Sequence, residues 1–150
     1  MTGTILVTGA AGFIGSAVVT SLSASGHKVV ALDGLLDGLY SSAAKIDRFG
    51  IISTLPGVTP IRADLRHDDL SVIPDSVTHV INEAAMPGLG LSWQDFDLYA
   101  GCNLNALGRL IEHSSRWDLE RFVQISTSSV YGKNAVGDEE QPIRPVSPTE

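Results

Sequence analysis

An apolar run that breaks into three evenly spaced glycines opens the chain, in the segment Ile5-Leu6-Val7-Thr8-Gly9-Ala10-Ala11-Gly12-Phe13-Ile14-Gly15. The pattern requires a buried strand to turn sharply and to start a helix whose free N–H groups point at an anion. Gly9 allows the tight turn, Gly12 lets a pyrophosphate approach the backbone, and Gly15 lets the helix pack closely on the strand. The segment therefore predicts a phosphate-binding turn.

The glycine spacing, Gly-x-x-Gly-x-x-Gly, is one residue longer at the first step than the Gly-x-Gly-x-x-Gly pattern of dinucleotide-binding turns. The context supports the same interpretation, because a helical pattern runs from Phe13 to Ala24 and Gly26 separates it from a second apolar run, Lys28 to Leu32. The predicted apolar face of this helix consists of Phe13, Ile14, Ala17, Val18 and Leu22. The alternative is an ordinary turn that contains three glycines.

Asp33 follows the second apolar run, about twenty residues after the glycines, where a dinucleotide site needs a carboxylate to accept hydrogen bonds from the adenosine ribose hydroxyls. A carboxylate there also repels a 2′-phosphate. The next three residues, 34–36, bring no Lys or Arg that would neutralise such a phosphate. We therefore expect NAD rather than NADP, with a plain turn aspartate as the alternative.

The composition indicates one acidic domain without nucleic-acid or membrane character. The chain has 150 residues, 43% of them hydrophobic, which is enough to bury a sizeable core. Its 10 basic residues are scattered among 17 acidic ones, and the formal net charge of −7 argues against nucleic acid and anionic membranes as partners. No apolar stretch reaches the roughly 18 residues of a membrane span. No basic leader precedes the first strand, so we expect a cytoplasmic protein.

The cysteine and the histidines indicate neither a disulfide nor a metal site. Cys102 is the single cysteine, and its place in a predicted helix indicates a small buried apolar side chain. The histidines lie far apart without Cys or Glu at ligand spacing; they are His27, His67, His79 and His113. We therefore expect no metal.

Apolar runs rich in β-branched residues alternate with helical patterns along the chain. The predicted strands are Thr4 to Thr8, Lys28 to Leu32, Thr59 to Ala63, His79 to Asn82 and Arg121 to Ser126. The predicted helices are Phe13 to Ala24, Tyr40 to Phe49, Asp68 to Ile73 and Trp93 to Arg116. Nearly continuous hydrophobicity is typical of strands covered on both faces. The alternation predicts an α/β fold with a doubly wound parallel sheet, a Rossmann-type domain that binds its cofactor across the carboxyl ends of the strands.

Two segments of this single dinucleotide-binding domain, 1–150, need separate mention. The longest predicted helix has one face that mixes apolar groups with an amide and consists of Phe96, Tyr99, Asn103, Leu107, Leu110 and Ser114. Residues 133–150 contain three prolines and no periodic apolar pattern, so we expect a surface loop there.

Together these motifs resemble the extended short-chain dehydrogenase/reductase family, in particular its nucleotide-sugar epimerases and dehydratases, over the whole chain. The resemblance implies NAD as the cofactor and Asp33 as the ribose-binding acid. It also implies that Asp64 contacts adenine through its side chain and Leu65 through its backbone. The implied cofactor-binding residues of the glycine turn are Gly9, Ala11, Gly12, Phe13, Ile14 and Gly15.

The segment Asn82 to Gly88 resembles the family's fourth strand, where His-x-Ala-Ala is usual and small side chains let the dinucleotide lie close to the backbone. Here Asn82 replaces the histidine. The resemblance implies contacts from the next small residues and their neighbour, namely Ala84, Ala85 and Met86. It also implies a cofactor contact from Asn105, in an Asn-x-x-Gly match followed by Arg109 where Thr is common, with Asn103 as the alternative.

The segment Ser126 to Gly132 resembles the end of the family's fifth strand, and the resemblance implies that Thr127 is the catalytic hydroxyl. Such a hydroxyl hydrogen-bonds the reacting sugar hydroxyl and then the ketone made from it; the alternative is that it only binds loop backbone. Ser128 and Ser129 stand where the dehydratases carry Asp and Glu, which disfavours elimination of water. Tyr131 is expected to be structural.

The family's proton-transfer pair, Tyr-x-x-x-Lys, does not occur in these 150 residues. The resemblance places this pair, and most of the sugar-binding part, C-terminal to the last segment of the chain. We therefore expect the parent protein to be an NAD-dependent nucleotide-sugar epimerase similar to UDP-glucose 4-epimerases, and the chain alone to be inactive. The alternatives are an NAD-binding module without turnover, a sugar-nucleotide dehydratase and a dehydrogenase. A homodimer is the assembly that the resemblance implies.

Overall fold

A parallel sheet forms the centre of the computed structural model, which describes residues 3–38, 41–127 and 130. Within these residues the strands are β1 Thr4–Thr8, β2 Lys28–Asp33, β3 Val58–Arg62, β4 Val77–Asn82 and β5 Arg121–Gln124. Their order across the sheet is β3-β2-β1-β4-β5, and every neighbouring pair is parallel. The predicted doubly wound α/β fold is confirmed, and the order reverses between β1 and β4, where such sheets bind ligands.

Helices connect the strands and cover both faces of the sheet. They are α1 Phe13–Ala24, α2 Ser42–Ile52, α3 Leu89–Ser92, α4 Phe96–Ala100 and α5 Ala106–Ser114, with a 3₁₀ turn at Leu70–Val72 and a π-helical segment at Gly101–Asn105. The helix predicted from Tyr40 to Phe49 begins two residues later, and Tyr40 lies outside the described residues. Among the helices described, none is long and apolar enough to cross a membrane.

The long helix predicted from Trp93 to Arg116 is helical from Phe96 to Ser114, but it begins three residues later, ends two residues earlier and contains a π-helical segment. Asp95 caps a new helix by accepting a hydrogen bond from the Leu98 N–H at 3.2 Å, and the π-helical segment separates α4 from α5. The extra residue in that wide turn rotates the buried face. The buried side chains of this region are therefore Tyr99, Cys102, Ala106, Leu110 and Ser114, whereas the predicted Phe96 and Asn103 are exposed.

The predicted apolar face of α1 is also partly wrong. Phe13, Ile14 and Ala17 are exposed, and the residues buried against the sheet are Gly15, Val19 and Ser23. Close packing at Gly15 sets the rotation of the helix. Phe13 and Ile14 therefore lie beyond the end of the strand, where they line a cavity.

Two hydrophobic clusters pack against opposite faces of the sheet, because side chains alternate along each strand. On β1, Leu6 joins Leu110 of α5 in one cluster. Val7 joins Val19 of α1 and Ile52 of α2 in the other. Burial on both faces explains the nearly continuous apolar residues of β1 and β2, whereas the edge strands β3 and β5 are partly exposed. The carboxyl ends of the strands are the edge at which a site can form.

Candidate functional site

The glycine turn has the geometry that its spacing predicted. Gly9 has a φ of +64°, which favours glycine, and a Cβ there would lie 2.9 Å from the Ala84 nitrogen and from the Glu83 carbonyl carbon. A Cβ on Gly15 would overlap the carbonyl oxygen of Gly9. Both glycines are thus required for α1 to start directly behind β1 and beside the chain that leaves β4.

The amino end of α1 faces the same edge without a side-chain cap. Its N-cap residue is Gly12, whose N–H donates to the Gly9 carbonyl oxygen at 2.9 Å, and no side chain of the described residues caps the first turn. Uncapped N–H groups and the positive end of the helix dipole favour an anion here. Phe13, 84% exposed, and Ile14 flank this end of the helix.

Asp33 is held rigidly against the glycine turn. Its side chain is buried, with 7% of the residue exposed. Oδ2 accepts a hydrogen bond from the Ala11 N–H at 2.9 Å, and Oδ1 accepts one from the Leu35 N–H at 2.7 Å. Each carboxylate oxygen keeps acceptor capacity for a further donor. Ala11 is itself fully buried and does not line the cavity. Its backbone N–H contributes to the site by holding Asp33 in place.

Asp64 and Leu65 are fixed by two arginines. Arg66 binds the Asp64 carboxylate with Nη2 at 2.7 Å and Nε at 3.0 Å. Partial burial raises the pKa of Asp64, but the hydrogen bonds and charge of Arg66 outweigh burial and hold this pKa below its ordinary value. Arg109 of α5 donates to the carbonyl oxygens of Leu65 at 2.6 Å and Asp68 at 2.7 Å. The departure from Thr at position 109 thus has a structural role that the sequence did not reveal.

Asn82, which replaces the usual histidine, connects three strands. It is 3% exposed, accepts a hydrogen bond from the Thr8 hydroxyl of β1, and donates one of 2.7 Å to the Gln124 side chain of β5. The Thr8 hydroxyl in turn accepts from the Ala84 N–H at 3.2 Å. This network holds the Ala84–Ala85 segment at the carboxyl edge, beside Gly9.

Asn103, the alternative to Asn105, binds the segment that leaves β4. Asn103 Oδ1 accepts from the Met86 N–H at 2.7 Å, and its Nδ2 donates to the Met86 carbonyl oxygen at 3.1 Å. Neither Asn103 nor Asn105 lines the cavity, and both are exposed, so the predicted cofactor contact of Asn105 stays a prediction. Both lie in the π-helical segment, which departs from a regular helical face.

These residues surround a cavity of about 760 Å³ at the carboxyl edge of the sheet, a size usual for cofactor sites. The predicted residues that line it are Gly9, Gly12, Phe13, Ile14, Gly15, Asp33, Asp64, Leu65, Ala84, Ala85 and Met86. Ala11, Asn105 and Thr127 do not line it.

Cys102 is buried as expected and lies at the cavity wall, where burial raises the pKa of its thiol.

Thr127 lies beside the cavity, after the end of β5. It is exposed, and its carbonyl oxygen accepts a hydrogen bond from the Val130 N–H at 3.3 Å. The two preceding residues, Ile125 and Ser126, line the cavity. The segment that contains Ser128, Ser129, Tyr131 and the predicted loop 133–150 lies outside the described residues. The catalytic role of Thr127 stays a prediction.

Charged residues that the sequence did not single out also line the cavity. Lys45 Nζ donates to the Leu36 carbonyl oxygen and Arg48 Nε to the Ala11 carbonyl oxygen, both at 2.8 Å. Residues 34–36 bring no cation close to Asp33, but α2 packs over the loop that follows Asp33 and brings these two. Arg66 and Glu83 also line the cavity, and burial raises the pKa of Glu83.

Within residues 3–38, 41–127 and 130, no group of three or more His, Cys, Asp or Glu side chains is arranged to hold a metal ion. The polar groups of the cavity are backbone N–H groups, carboxylates and the cations of α2 and Arg66. This set of donors and acceptors suits a ligand that carries phosphates and hydroxyls.

Comparison with known proteins shows that the chain is similar to NAD-dependent epimerases and dehydratases. Residues 5–150 match the family model described as "NAD dependent epimerase/dehydratase family". The chain is 36% identical over 147 residues to the uncharacterized UDP-glucose epimerase YtcB of Bacillus subtilis, covering 96% of this chain and 46% of that protein. It is 31% identical over 150 residues to a dTDP-glucose 4,6-dehydratase of Streptomyces griseus, covering 99% of this chain and 45% of that one.

Among solved structures, the chain matches a UDP-glucuronic acid 4-epimerase from Bacillus cereus in complex with UDP-glucuronic acid and NAD. The TM-score is 0.82 with 35% sequence identity, covering 97% of this chain and 47% of that one. The chain thus spans about half the length of the relatives it matches. The resemblance seen in the sequence is confirmed, and the chain belongs to the NAD-dependent epimerase/dehydratase family, within the extended short-chain dehydrogenases/reductases.

Proposed function

We propose that the cavity binds NAD and that the protein is an NAD-dependent nucleotide-sugar epimerase. The observation that carries the cofactor assignment is the hydrogen bond of 2.9 Å between the Ala11 N–H and Asp33 Oδ2. It joins the phosphate-binding turn to the ribose-binding carboxylate within one cavity. A dinucleotide needs these two elements side by side, because its pyrophosphate and adenosine ribose are adjacent.

The residues present fit this cofactor. The uncapped amino end of α1 would hold the pyrophosphate, the remaining acceptor capacity of Asp33 would hold the ribose hydroxyls, and the fixed Asp64–Leu65 pair would contact adenine. The absence of a Cβ at Gly9 lets the chain after β4 approach the turn. Bound NAD supplies a reversible hydride acceptor. The chain's own contribution is to bind and orient that cofactor.

Epimerisation is favoured over dehydration by the residues that follow Thr127. The Thr127 hydroxyl would hold the ketone oxygen while hydride moves, and the serines at 128 and 129 bring no acid or base to eliminate water. Dehydratases are among the relatives as well as epimerases. A dehydratase, or a sugar dehydrogenase, is therefore the second candidate.

The substrates that we propose are nucleotide sugars, and UDP-sugars in particular. This follows from the relatives, whose names include UDP-glucose and UDP-glucuronate epimerases and one epimerase complex with UDP-glucuronic acid. We also propose that the 150 residues alone bind NAD without turnover, because no Tyr-x-x-x-Lys pair is present to take the sugar hydroxyl proton. A homodimer and a cytoplasmic location stay predictions.

The test combines binding with turnover. Calorimetric titration measures NAD binding to the purified chain, and NADH absorbance with chromatography of the sugar nucleotide measures the reaction of UDP-glucose and UDP-glucuronic acid. We expect NAD binding without NADH or epimer above a no-protein control, and epimer formation by a full-length protein. Turnover by the chain alone would contradict its predicted inactivity. A folded chain that does not bind NAD would contradict the cofactor assignment.

A further inference from the structure

We propose that Lys45 and Arg48 form a latent site for a 2′-phosphate, which the carboxylate of Asp33 opposes. The inference rests on the proposed function, since it places the adenosine ribose of the cofactor at Asp33. It assigns cofactor selectivity to a balance between one carboxylate and two cations of α2.

Arg48 and Asp33 bind the backbone of the same residue, Ala11. Arg48 Nε donates to the Ala11 carbonyl oxygen at 2.8 Å, while the N–H of Ala11 donates to Asp33 Oδ2 at 2.9 Å. A guanidinium carries five N–H donors. In the described part of the chain, the terminal nitrogens of Arg48 have no protein acceptor, so they are available to a phosphate in the cavity.

Lys45 presents a second cation from the same face of α2, because Ala44, Lys45 and Arg48 all line the cavity. Its Nζ donates to the Leu36 carbonyl oxygen at 2.8 Å, which leaves two further N–H donors. The charge of Lys45 interacts with that of Asp37, whose carboxylate also accepts a hydrogen bond from the Ser42 N–H at 2.7 Å. Asp37 is exposed and does not line the cavity.

The other charged residues that line the cavity, Asp64, Arg66 and Glu83, do not alter the opposition between Asp33 and the two cations of α2. Arg66 is bound by Asp64 through two of its nitrogens, so that pair is neutral as a unit. Glu83 lines the cavity after β4, and no hydrogen bond connects it to the glycine turn within the described residues. The carboxylate in direct contact with the turn is Asp33, and it opposes Lys45 and Arg48.

Asp33 excludes a 2′-phosphate because it cannot move away from the ribose. Both of its oxygens accept backbone N–H groups, and its side chain is buried. A phosphate on the ribose 2′ oxygen would lie against a fixed negative charge in a site of low dielectric. With this charge removed, the same phosphate would lie beside two cations instead.

The experiment measures dissociation constants for NAD and NADP by calorimetry, on the whole chain and its variants, at low and high salt. Asp33→Ser removes the charge but keeps a hydroxyl acceptor for one backbone N–H. We expect it to strengthen NADP binding about tenfold relative to wild type, a fold-change usual for one opposing charge. Adding Lys45→Met and Arg48→Met to Asp33→Ser is expected to remove this gain. The gain should also fall with salt, because charge attraction is screened.

An unchanged NADP affinity in Asp33→Ser, or a gain that survives the two methionine substitutions, would overturn the proposal. If Asp33→Ser does not fold by circular dichroism, Lys45→Met/Arg48→Met with Asp33 intact decides the question. In that variant we expect the ratio of the NADP dissociation constant to the NAD dissociation constant to rise at least about threefold, because the two cations no longer attract the 2′-phosphate. An unchanged ratio overturns the proposal. A folded wild-type chain that binds neither nucleotide would instead contradict the proposed function.

Discussion

The backbone N–H of Ala11 donates a hydrogen bond of 2.9 Å to Oδ2 of Asp33, from the glycine turn to the end of the neighbouring strand. The bond is buried and joins two segments that are 22 residues apart in the sequence. A single carboxylate therefore orders the turn, and we propose that it also binds the ribose. We therefore expect substitutions at Asp33 to affect both stability and cofactor binding.

Asp33→Asn should destabilise the chain even without nucleotide. The amide has one oxygen, so its NH₂ group would face one of the two backbone N–H groups that the carboxylate accepts. Loss of hydrogen bonds to a charged acceptor lowers the free energy of unfolding by about 1.5–3 kcal/mol. Urea denaturation measures this change, with Asp47→Asn on the exposed side of α2 as the control. A loss no larger than the control's would contradict the structural role of Asp33.

Thr8 and Asn82 should be energetically coupled. Both side chains are buried, and their hydrogen bond connects β1 to β4. A double-mutant cycle with Thr8→Val and Asn82→Ala isolates the pair, and we expect a coupling energy of about 1 kcal/mol or more. Additive effects would show that Asn82 is not the connection between strands that the geometry indicates.

Replacing a helical glycine by alanine should change stability in a direction that depends on the space available for the new Cβ. A Cβ meets nothing within 4 Å at Gly50 of α2 or at Gly108 of α5, so alanine is expected to raise stability by about 0.5–1 kcal/mol at each. At Gly15 a Cβ would overlap the Gly9 carbonyl oxygen, and a loss of about 1–3 kcal/mol is expected. Thermal unfolding of the three variants measures the contrast. Equal effects at all three positions would contradict the close packing of α1.

Glu83 should make stability depend on pH in the direction of its shifted pKa. Burial raises this pKa above the ordinary 4.5, so the folded chain binds the proton more tightly than the unfolded chain does. The stability gained from protonation is present below pH 4.5 and is lost as pH rises through the higher folded-state pKa. Glu83→Gln should therefore be more stable than wild type at pH 7, with the difference shrinking toward pH 4.

Urea denaturation at several pH values measures the Glu83 effect, and Glu112→Gln on the exposed face of α5 is the matched control. The control should follow the wild-type curve. A Glu83→Gln variant with the wild-type pH dependence would show that this carboxylate is solvated as well in the folded chain as in the unfolded one.

Patterns of adjacent residues in the sequence were enough to predict the glycine turn and Asp33. Gly9, Gly15 and Asp33 could be placed because a turn with positive φ, a close helix–strand contact and a strand end each leave a signal within a few residues. Strands β1 and β2 could be predicted for the same reason, since burial on both faces selects apolar residues at most of their positions.

Residues whose position depends on tertiary packing could not be placed in this way. The hydrogen bonds between Asn103 and Met86 depend on a π-helical segment, which shifts a helical face without a clear sequence signal. Arg48 reaches the cavity because α2 packs back over the turn, and Arg109 acts on a carbonyl oxygen 44 residues away. Contacts of this kind depend on how the helices pack on the sheet, which no short sequence pattern indicates.

A crystal structure of the chain with NAD tests the central claim most directly. We predict the pyrophosphate at the amino end of α1 and the adenosine ribose hydroxyls at about 2.5–3.0 Å from the Asp33 carboxylate oxygens, the usual O–H···O distance. Adenosine bound elsewhere, or ribose hydroxyls that do not contact Asp33, would contradict the assignment of this cavity as the NAD site.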